Sequence, residues 1–484
     1  MINSIQHFCA EGVKNLEKVM TDYSEDMTKT AEMVQGVTKG VTQLGLSIIA
    51  EEWESYDRLL CKRKDIRAGW HIVRKDETSL LTSLGSVTYH KTLFRNKETG
   101  QYEYLLDRIM GLEKHARMTE DAEAKILEEA VQTSYRRGGE NASMTEEVVS
   151  KETVMNKLHV LTFPKTEPQP EKKALKYLYI DADEDHVSLQ YWEKKGDIRK
   201  PRANTVMPKL VYVYEGITNE NGRNELVNKK HFGGVYEGGK GIRQLWGEVW
   251  DYIEASYDTA ELVKIYINGD GAAWIKSGQK LIDKAKFVLD RFHMHKYIIS
   301  ATSHLSDGME EARSELYHAI YKQKKGKAVE VFDRILSVTQ AGTKRRAVEY
   351  AKAYILGNWA GIMQRVRDKN EEIKCSAEGH ISHVFADRMS SRPLGWSRKG
   401  ADKMSRLRIY EKNGGDMLNL VRYQKKALPM ASGCEEVIYS SSQMFAAERK
   451  NREALGVLAD IPVYSIPYPQ IRKIAALKNH IWGL

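Results

Sequence analysis

Two aspartates stand at positions from which they could together hold a hard cation. Asp183 lies in a strand-like run (Leu178-Tyr179-Ile180-Asp181-Ala182-Asp183-Glu184-Asp185), and Asp270 closes another (Lys264-Ile265-Tyr266-Ile267-Asn268-Gly269-Asp270-Gly271). In open sheets, functional groups gather at the carboxyl ends of strands, where side chains project beyond the packed layers. The two strands need only be neighbours for the carboxylates to meet across 87 residues (270 − 183). Oxygen ligands of this kind suit Mg²⁺ or Mn²⁺. Gly269 and Gly271 permit a tight turn and close approach of a phosphate backbone. Taken alone, an acidic residue at a strand end is ordinarily just solvated, and Glu184 and Asp185 leave the first cluster ambiguous. Beyond a further strand comes Asp290-Arg291-Phe292-His293, an Asp-x-x-His spacing, and far downstream Cys375-Ser376-Ala377-Glu378-Gly379-His380 runs toward Arg388.

The elements that must position these residues read as α/β. Strand-like patterns cover Lys176–Trp192 and Leu210–Tyr214, with a shorter strand or turn between them. A helix follows over Ile242–Ala255, then a strand at Lys264–Ile267, a helix around Ala273–Asp283 and a last strand at Lys286–Leu289. Three strands, a helix, a strand, a helix and a strand make a compact mixed-sheet order. Residues 305–372 are helical throughout. Upstream, residues 1–65 read as helices for packing or dimerisation, and residues 79–106 as a β-hairpin turning at Asn96–Gly100. Between 119 and 161 we expect three short helices, the first capped by Thr119 and ended by Gly138-Gly139. The second starts at Ser143 or Thr145 and the third at Ser150, with Val154 and Leu158 on one face. This matches a helix-turn-helix, whose last helix would bring Lys151, Asn156 and Lys157 to the major groove; a plain helical connector is the alternative. Phe163 to Lys173 holds three of the ten prolines and reads as a linker.

At 484 residues with 42% hydrophobic and 29% charged side chains, the chain has the balance of a multidomain globular protein. Lys+Arg 75 against Asp+Glu 66 leaves +9, which points toward a polyanion partner. From Asp387 to Lys426, eleven Lys/Arg face four Asp/Glu, a net of +7. Four scattered cysteines without a CxxC disfavour a disulfide framework and a structural zinc site. No window approaches a membrane span of about 18 apolar residues, and the first residues lack a signal-peptide pattern. A soluble, cytoplasmic protein is expected.

Taken together, Asp183, Asp270, Asp290-x-x-His293, the helical stretch and Glu378 resemble the DDE (Asp-Asp-Glu) transposases of bacterial insertion sequences, in the broad group that includes mutator-like elements. The nearest likeness is to a family long known only as uncharacterised proteins. It covers about residues 160–400 for the catalytic part, and the helix-turn-helix-like region also resembles that family. The resemblance implies an RNase H-like mixed five-stranded sheet interrupted by an all-α insertion, with a helical N-terminal DNA-binding region. The divisions expected are 1–78 helical, 79–162 hairpin plus helix-turn-helix-like, 163–174 linker, and 175–304 first catalytic part. The insertion 305–372, the Glu-bearing helix 373–400 and a basic region 401–484 complete the chain. It further implies that Asp183, Asp270 and Glu378 hold two Mg²⁺ (or Mn²⁺) ions, Glu378 lying 108 residues beyond Asp270 (378 − 270). In two-metal phosphoryl transfer the ions sit about 3.5–4 Å apart. Asp290 and His293 would support the site. For the first ligand, Asp183 finds apolar Val187 and Leu189 four and six positions on, whereas Asp181 finds Asp185 and Val187; Asp183 is the choice and Asp181 the second.

Double-stranded DNA, both element ends and target, is the implied partner, bound by a homodimer or higher assembly in the nucleoid. Arg388, Arg392, Arg398, Lys399, Lys403, Arg406 and Arg408 would neutralise phosphates. A nuclease or resolvase on the same fold without strand transfer, and a transposase-derived DNA-binding protein with a decayed metal site, are the other classes. Other motifs fail on inspection. Gly234-x₄-Gly239-Lys240 mimics a phosphate loop, but Gly241 replaces the Ser/Thr that would hold Mg²⁺ and no strong strand precedes it; it reads as a loop touching DNA. His380-x-x-His383 has no third ligand in reach. His293 and His295 read as structural or DNA-adjacent, and Tyr177, Tyr179, Tyr191 and Trp192 as core and sheet surface.

Overall fold

The computed structural model describes residues 3–65, 67–145, 147–165, 171–190, 204–220, 223–368, 381–391 and 394–427. Glu378, Arg392, Tyr191, Trp192, part of the proline-rich stretch and everything beyond 427 lie outside them. The described residues divide into two compact units, one within 1–126 and 140–149, the other within 127–139 and 150–427.

In the first unit, helix α1 (Val13–Glu25) leads to the long helix α2 (Thr30–Lys62), followed by strands β1 (Trp70–Leu81), β2 (Ser86–Asn96) and β3 (Tyr102–Tyr104). The expected hairpin is present as β2–β3, antiparallel from Leu93↔Tyr104 to Arg95↔Tyr102. The longer pairing is β1 with β2, and β1 begins within the region read as helical. Its residues His71 to Lys75 are exposed, so the strand lacks the one-sided apolar alternation that identifies a half-buried strand. The core gathers Leu60, Leu80, Val87, Tyr89, Phe94 and Leu106. Under it Asp57, 1% exposed, accepts bonds from the Thr92 amide (2.8 Å) and hydroxyl (2.7 Å), which satisfies a carboxylate otherwise costly to bury.

The helices α3 (Glu120–Gln132), α4 (Tyr135–Glu140) and α5 (Lys151–Val160) differ from expectation in the middle one. Gly138 and Gly139 are buried inside α4 and do not end α3, and no helix begins at Ser143 or Thr145. Ser150 does cap α5, accepting from the Thr153 amide at 3.2 Å, and Val154 and Leu158 are buried.

The second unit is built on five strands, β4 (Tyr177–Glu184), β5 (Lys209–Tyr214), β6 (Lys230–Gly234), β7 (Lys264–Gly269) and β8 (Ala285–Leu289), in spatial order β6-β5-β4-β7-β8. The first three are antiparallel in sequence; β4, β7 and β8 run parallel. The third strand was not legible. Lys230-His231-Phe232-Gly233-Gly234 carries little apolar character and two glycines, which strands usually avoid. At Gly233 the backbone has φ +155° and a Cβ would meet the Lys209 carbonyl at 2.0 Å, so glycine is required by this pairing. Helices α6 (Gly238–Ser256) and α7 (Ala273–Leu281) connect β6 to β7 and β7 to β8, and α8 (Arg291–Thr302) follows β8.

Period-2 alternation divides the sheet. One face presents Leu178, Ile180, Val211, Val213, Ile265, Ile267 and Phe287 to the helices. The other carries stacked tyrosines, Tyr177 on Tyr266 (ring centroids 6.2 Å), Tyr266 on Tyr179 (5.7 Å) and Tyr179 on Tyr214 (5.5 Å). The stretch after α8 is helical as expected, with α9 (Met309–Tyr321), α10 (Lys325–Val338), α11 (Gly342–Gly357) and α12 (Trp359–Arg367). Leu316, Val331, Phe332, Ile355 and Ile362 of these helices join the same core as the sheet. Helices α13 (Arg398–Lys412) and α14 (Met417–Ala427) end the described chain.

Candidate active site

Strand register brings the two aspartates together. Asp181 of β4 and Asn268 of β7 are partners on neighbouring parallel strands. Asp183 and Asp270 each lie two residues further toward the carboxyl ends, Asp270 one residue past the end of β7, and the Asp270 charge is felt at Asp183. One position beyond the partners Gly269 and Leu289, Asp290 follows on the third parallel strand. Three acidic residues therefore occupy adjacent strand ends.

Their environments differ. Asp181 is fully buried and receives Tyr212 Oη (2.8 Å), Tyr214 Oη (3.1 Å) and Asn268 Nδ2 (2.8 Å). This shell uses it as a buried anchor for three strands, whereas Asp183 is less enclosed. Asp183 and Asp270 each accept one backbone amide, from Glu184 (2.8 Å) and Ala272 (2.8 Å). The second oxygen of each has no donor among the described residues. Burial pushes the Asp183 carboxyl up to about 6, and the nearby Asp270 adds to the rise. Val187 and Leu189 beyond it are buried, as the apolar spacing requires. Glu184 is occupied by an ion pair with the buried Lys209.

The Asp-x-x-His spacing folds as a local unit. Asp290 caps α8 by accepting from the Phe292 amide (3.2 Å) and holds His293 Nδ1 at 3.1 Å. That hydrogen bond raises the His293 pKa above its ordinary value against the opposing burial, and the charges of Asp270 and Asp183 contribute further. His295 is engaged by Tyr317 Oη (2.6 Å) and by Arg291 (2.9 Å), which leaves it no role as a metal ligand.

Two bare carboxylate oxygens on neighbouring strand ends fit a hard divalent cation. Among the described residues, no group of three or more His, Cys, Asp or Glu side chains is arranged to hold a metal, and Glu378, the third expected ligand, lies outside them.

The raised Asp183 value has a stability consequence. Its folded pKa exceeds the ordinary carboxylate value, so the fold binds this proton more tightly than the unfolded chain does. Stability is therefore lost as pH rises from about 4 to about 6, and the cost persists above. Asp183→Asn is expected to stabilise the metal-free protein at pH 8 by on the order of 2 kcal/mol, with the gain vanishing near pH 4. Melting curves at the two pH values check this; equal shifts at both would refute it.

The basic residues fall into groups. Arg388 and Arg408 are 7% and 2% exposed. Arg388 donates to the Ala130 carbonyl (3.1 Å) between the Tyr135 and Trp396 rings. Arg408 donates to the carbonyls of Val131 (2.8 Å), His383 (2.7 Å) and Val384. Both depart from the expected surface position: these guanidiniums are buried and bond backbone carbonyls. Arg406 is held by Asp402 (2.9 Å) and Tyr236 (3.2 Å), Lys403 donates to the Leu161 carbonyl (2.6 Å), and Arg398 pairs with Glu237. Lys399, Lys151 and Asn156 are exposed and Lys157 half-buried. The Gly234–Lys240 stretch does follow a strand, contrary to expectation, but its Val235 amide is taken by Asp402 Oδ1 (3.0 Å), so it does not form a phosphate cradle.

Sequence reasoning missed the groups that hold the Asp270 turn. Tyr354 of α11 donates to the Asp270 carbonyl, Asn358 packs against Gly271, and Lys276 reaches Asn358 Oδ1 at 3.2 Å. Nothing in a helical pattern marks such residues, because their partner lies more than 80 residues away.

A family model described as an uncharacterised protein family, UPF0236, matches residues 24–427. The chain belongs to this UPF0236 family. A UPF0236 protein of Caldanaerobacter subterraneus subsp. tengcongensis is 38% identical over 403 residues, covering 83% of this chain and 82% of its own; its name spans four loci. A second from the same bacterium, whose name spans eleven loci, is 35% identical over 424 residues, covering 86% of each. A UPF0236 protein of Streptococcus gallolyticus, named for its place in the vanSb 3′ region, is 21% identical over 360 residues, 72% of this chain and 75% of its own. Among the described residues no helix is long and apolar enough to cross a membrane.

Proposed function

We propose that this UPF0236 protein is a DNA transposase of the DDE type, cutting and rejoining strands at the ends of an insertion sequence. The observation that carries the reading is the register that sets Asp183 beside Asp270 on parallel strands, each with one oxygen lacking a donor among the described residues. Further support comes from the mixed sheet of five strands, which agrees with the sheet implied by the resemblance to DDE transposases. Many loci for near relatives in one genome are what a mobile element would leave.

In this reading Asp183, Asp270 and Glu378 would hold Mg²⁺ or Mn²⁺. The bound ions would activate the attacking oxygen and stabilise the leaving one. The chain's own residues do the rest. The backbone amides of Glu184 and Ala272 orient the two carboxylates before substrate arrives. His293, whose hold on a proton the hydrogen bond to Asp290 strengthens, would support the site from the start of α8. Exposed Lys322 and Lys324 lie between α9 and α10, and exposed Lys325 and Lys327 in the first turn of α10; such cations would neutralise phosphates of bound DNA.

The test is strand cleavage and strand transfer on DNA carrying the element's own ends, with Mg²⁺ or Mn²⁺. Cleavage with joining supports a transposase; cleavage without joining makes the protein a nuclease on the same site; retention of full activity in Asp270→Ala removes the reading.

A further inference from the structure

We infer that the corner between α11 and α12 is a brace for the metal-binding turn, with Tyr354 and Asn358 as positioning residues that set Asp270. This rests on the reading of Asp270 as a metal ligand. Asp270 sits on a turn of three glycine-rich residues, Gly269-Asp270-Gly271, with Gly271 at φ +90°. Such a turn has much conformational freedom when unsupported, so its carboxylate would be poorly placed for an ion that demands near-ideal octahedral geometry. Its own sheet supplies part of the restraint, since the Gly269 carbonyl accepts from the Asp290 amide at 2.9 Å.

The remaining contacts come from the helical layer. The Tyr354 hydroxyl donates to the Asp270 carbonyl. Its ring is locked by Tyr297 of α8, with centroids 3.8 Å apart. Burial together with the Asp270 charge raises the Tyr354 pKa, so the hydroxyl keeps the proton it donates. Asn358, 6% exposed, closes the other side. Its amide nitrogen donates to the Tyr354 carbonyl (2.9 Å), its oxygen accepts from Lys276 (3.2 Å), and a Cβ on Gly271 would meet that oxygen at 2.6 Å. Helices inserted between the last strand and the expected third ligand thus grip the second ligand's backbone. Their packing on the sheet is transmitted to the carboxylate's position, and a substitution more than 80 residues from Asp270 in sequence should alter metal binding without touching the ion.

The test is Mn²⁺ binding to the full-length protein, read by the electron paramagnetic resonance of free Mn²⁺, with thermal melting alongside. Tyr354→Phe removes one donor and keeps the ring stack; Asn358→Ala opens the far side. Loss of one hydrogen bond of ordinary strength predicts about a 3- to 10-fold weaker Mn²⁺ affinity in Tyr354→Phe, at a melting temperature lowered by no more than a few degrees and at unchanged DNA affinity. Asn358→Ala should weaken Mn²⁺ by a similar factor and speed amide exchange at Gly271 and Ala272. Wild-type Mn²⁺ affinity in a normally folded Tyr354→Phe would overturn the brace while leaving the site intact. Equal binding by wild type and Asp270→Ala would overturn the metal site itself, and the brace with it.

Discussion

Asp270→Ala is expected to lower metal-dependent strand cleavage by at least about a thousandfold, the scale on which preorganised electrostatic groups act at a reacting phosphate. The same loss is expected for Asp183→Asn and Glu378→Ala, while Asp181→Asn should act mainly on stability. The contrast follows from the surroundings. Asp181 has three donors around it and no exposure; Asp183 and Asp270 each have one amide and an open oxygen. Asp183→Asn should therefore separate the two properties, abolishing cleavage while stabilising the metal-free fold at pH 8. Such a trade is expected where like charges are held together for function against the stability of the chain. Cleavage rates at saturating Mg²⁺ on end-sequence DNA, with melting curves for each variant, check it. An Asp181→Asn variant that loses cleavage while folding and melting normally would reverse the assignment.

Arg408→Met should be the most damaging single change outside the site. The substitution keeps much of the side chain's length and removes every donor, so the carbonyls of Val131, His383 and Val384 lose the guanidinium they share. Burial without a donor costs about 1–3 kcal/mol for each such group, so a loss of about 3–5 kcal/mol is expected. For a unit of this size that lowers the melting temperature by roughly 6–15 °C. Lys399→Gln, on an exposed position of the same helix, should leave melting unchanged and weaken DNA binding slightly. The two variants distinguish an internal strut from a phosphate contact. If Arg408→Met melts like the wild type and loses DNA affinity, the guanidinium faces DNA after all.

Arg408 also illustrates where the sequence misleads. Eleven basic residues in forty suggest a charged surface, yet helical periodicity alone does not tell a solvated face from one turned inward. Met404, Leu407 and Ile409 flank Arg408 in the core, and only the carbonyls of Val131, His383 and Val384 explain why a cation sits among them. The middle helix of the expected helix-turn-helix failed for a related reason. Gly138 and Gly139 are read locally as helix breakers, but packing that buries them favours small residues inside α4. Strand β6 was hidden because its backbone follows the pairing with β5 and not its own composition.

What the sequence determined by itself is the set of elements whose local pattern and burial agree. These are the apolar strands β4, β5, β7 and β8, the capped helix at Ser150, the all-helical stretch, and the placing of Asp183 and Asp270 at strand ends. Alternation of period two and caps are properties of neighbouring residues, so they survive in one dimension. The tertiary structure alone decided which strands adjoin, which of Asp181 and Asp183 is enclosed, which arginines are interior, and that Tyr354 and Asn358 hold the Asp270 turn. Each of these depends on desolvation and hydrogen bonding between groups distant in the chain, and such energies exist only once the chain has folded.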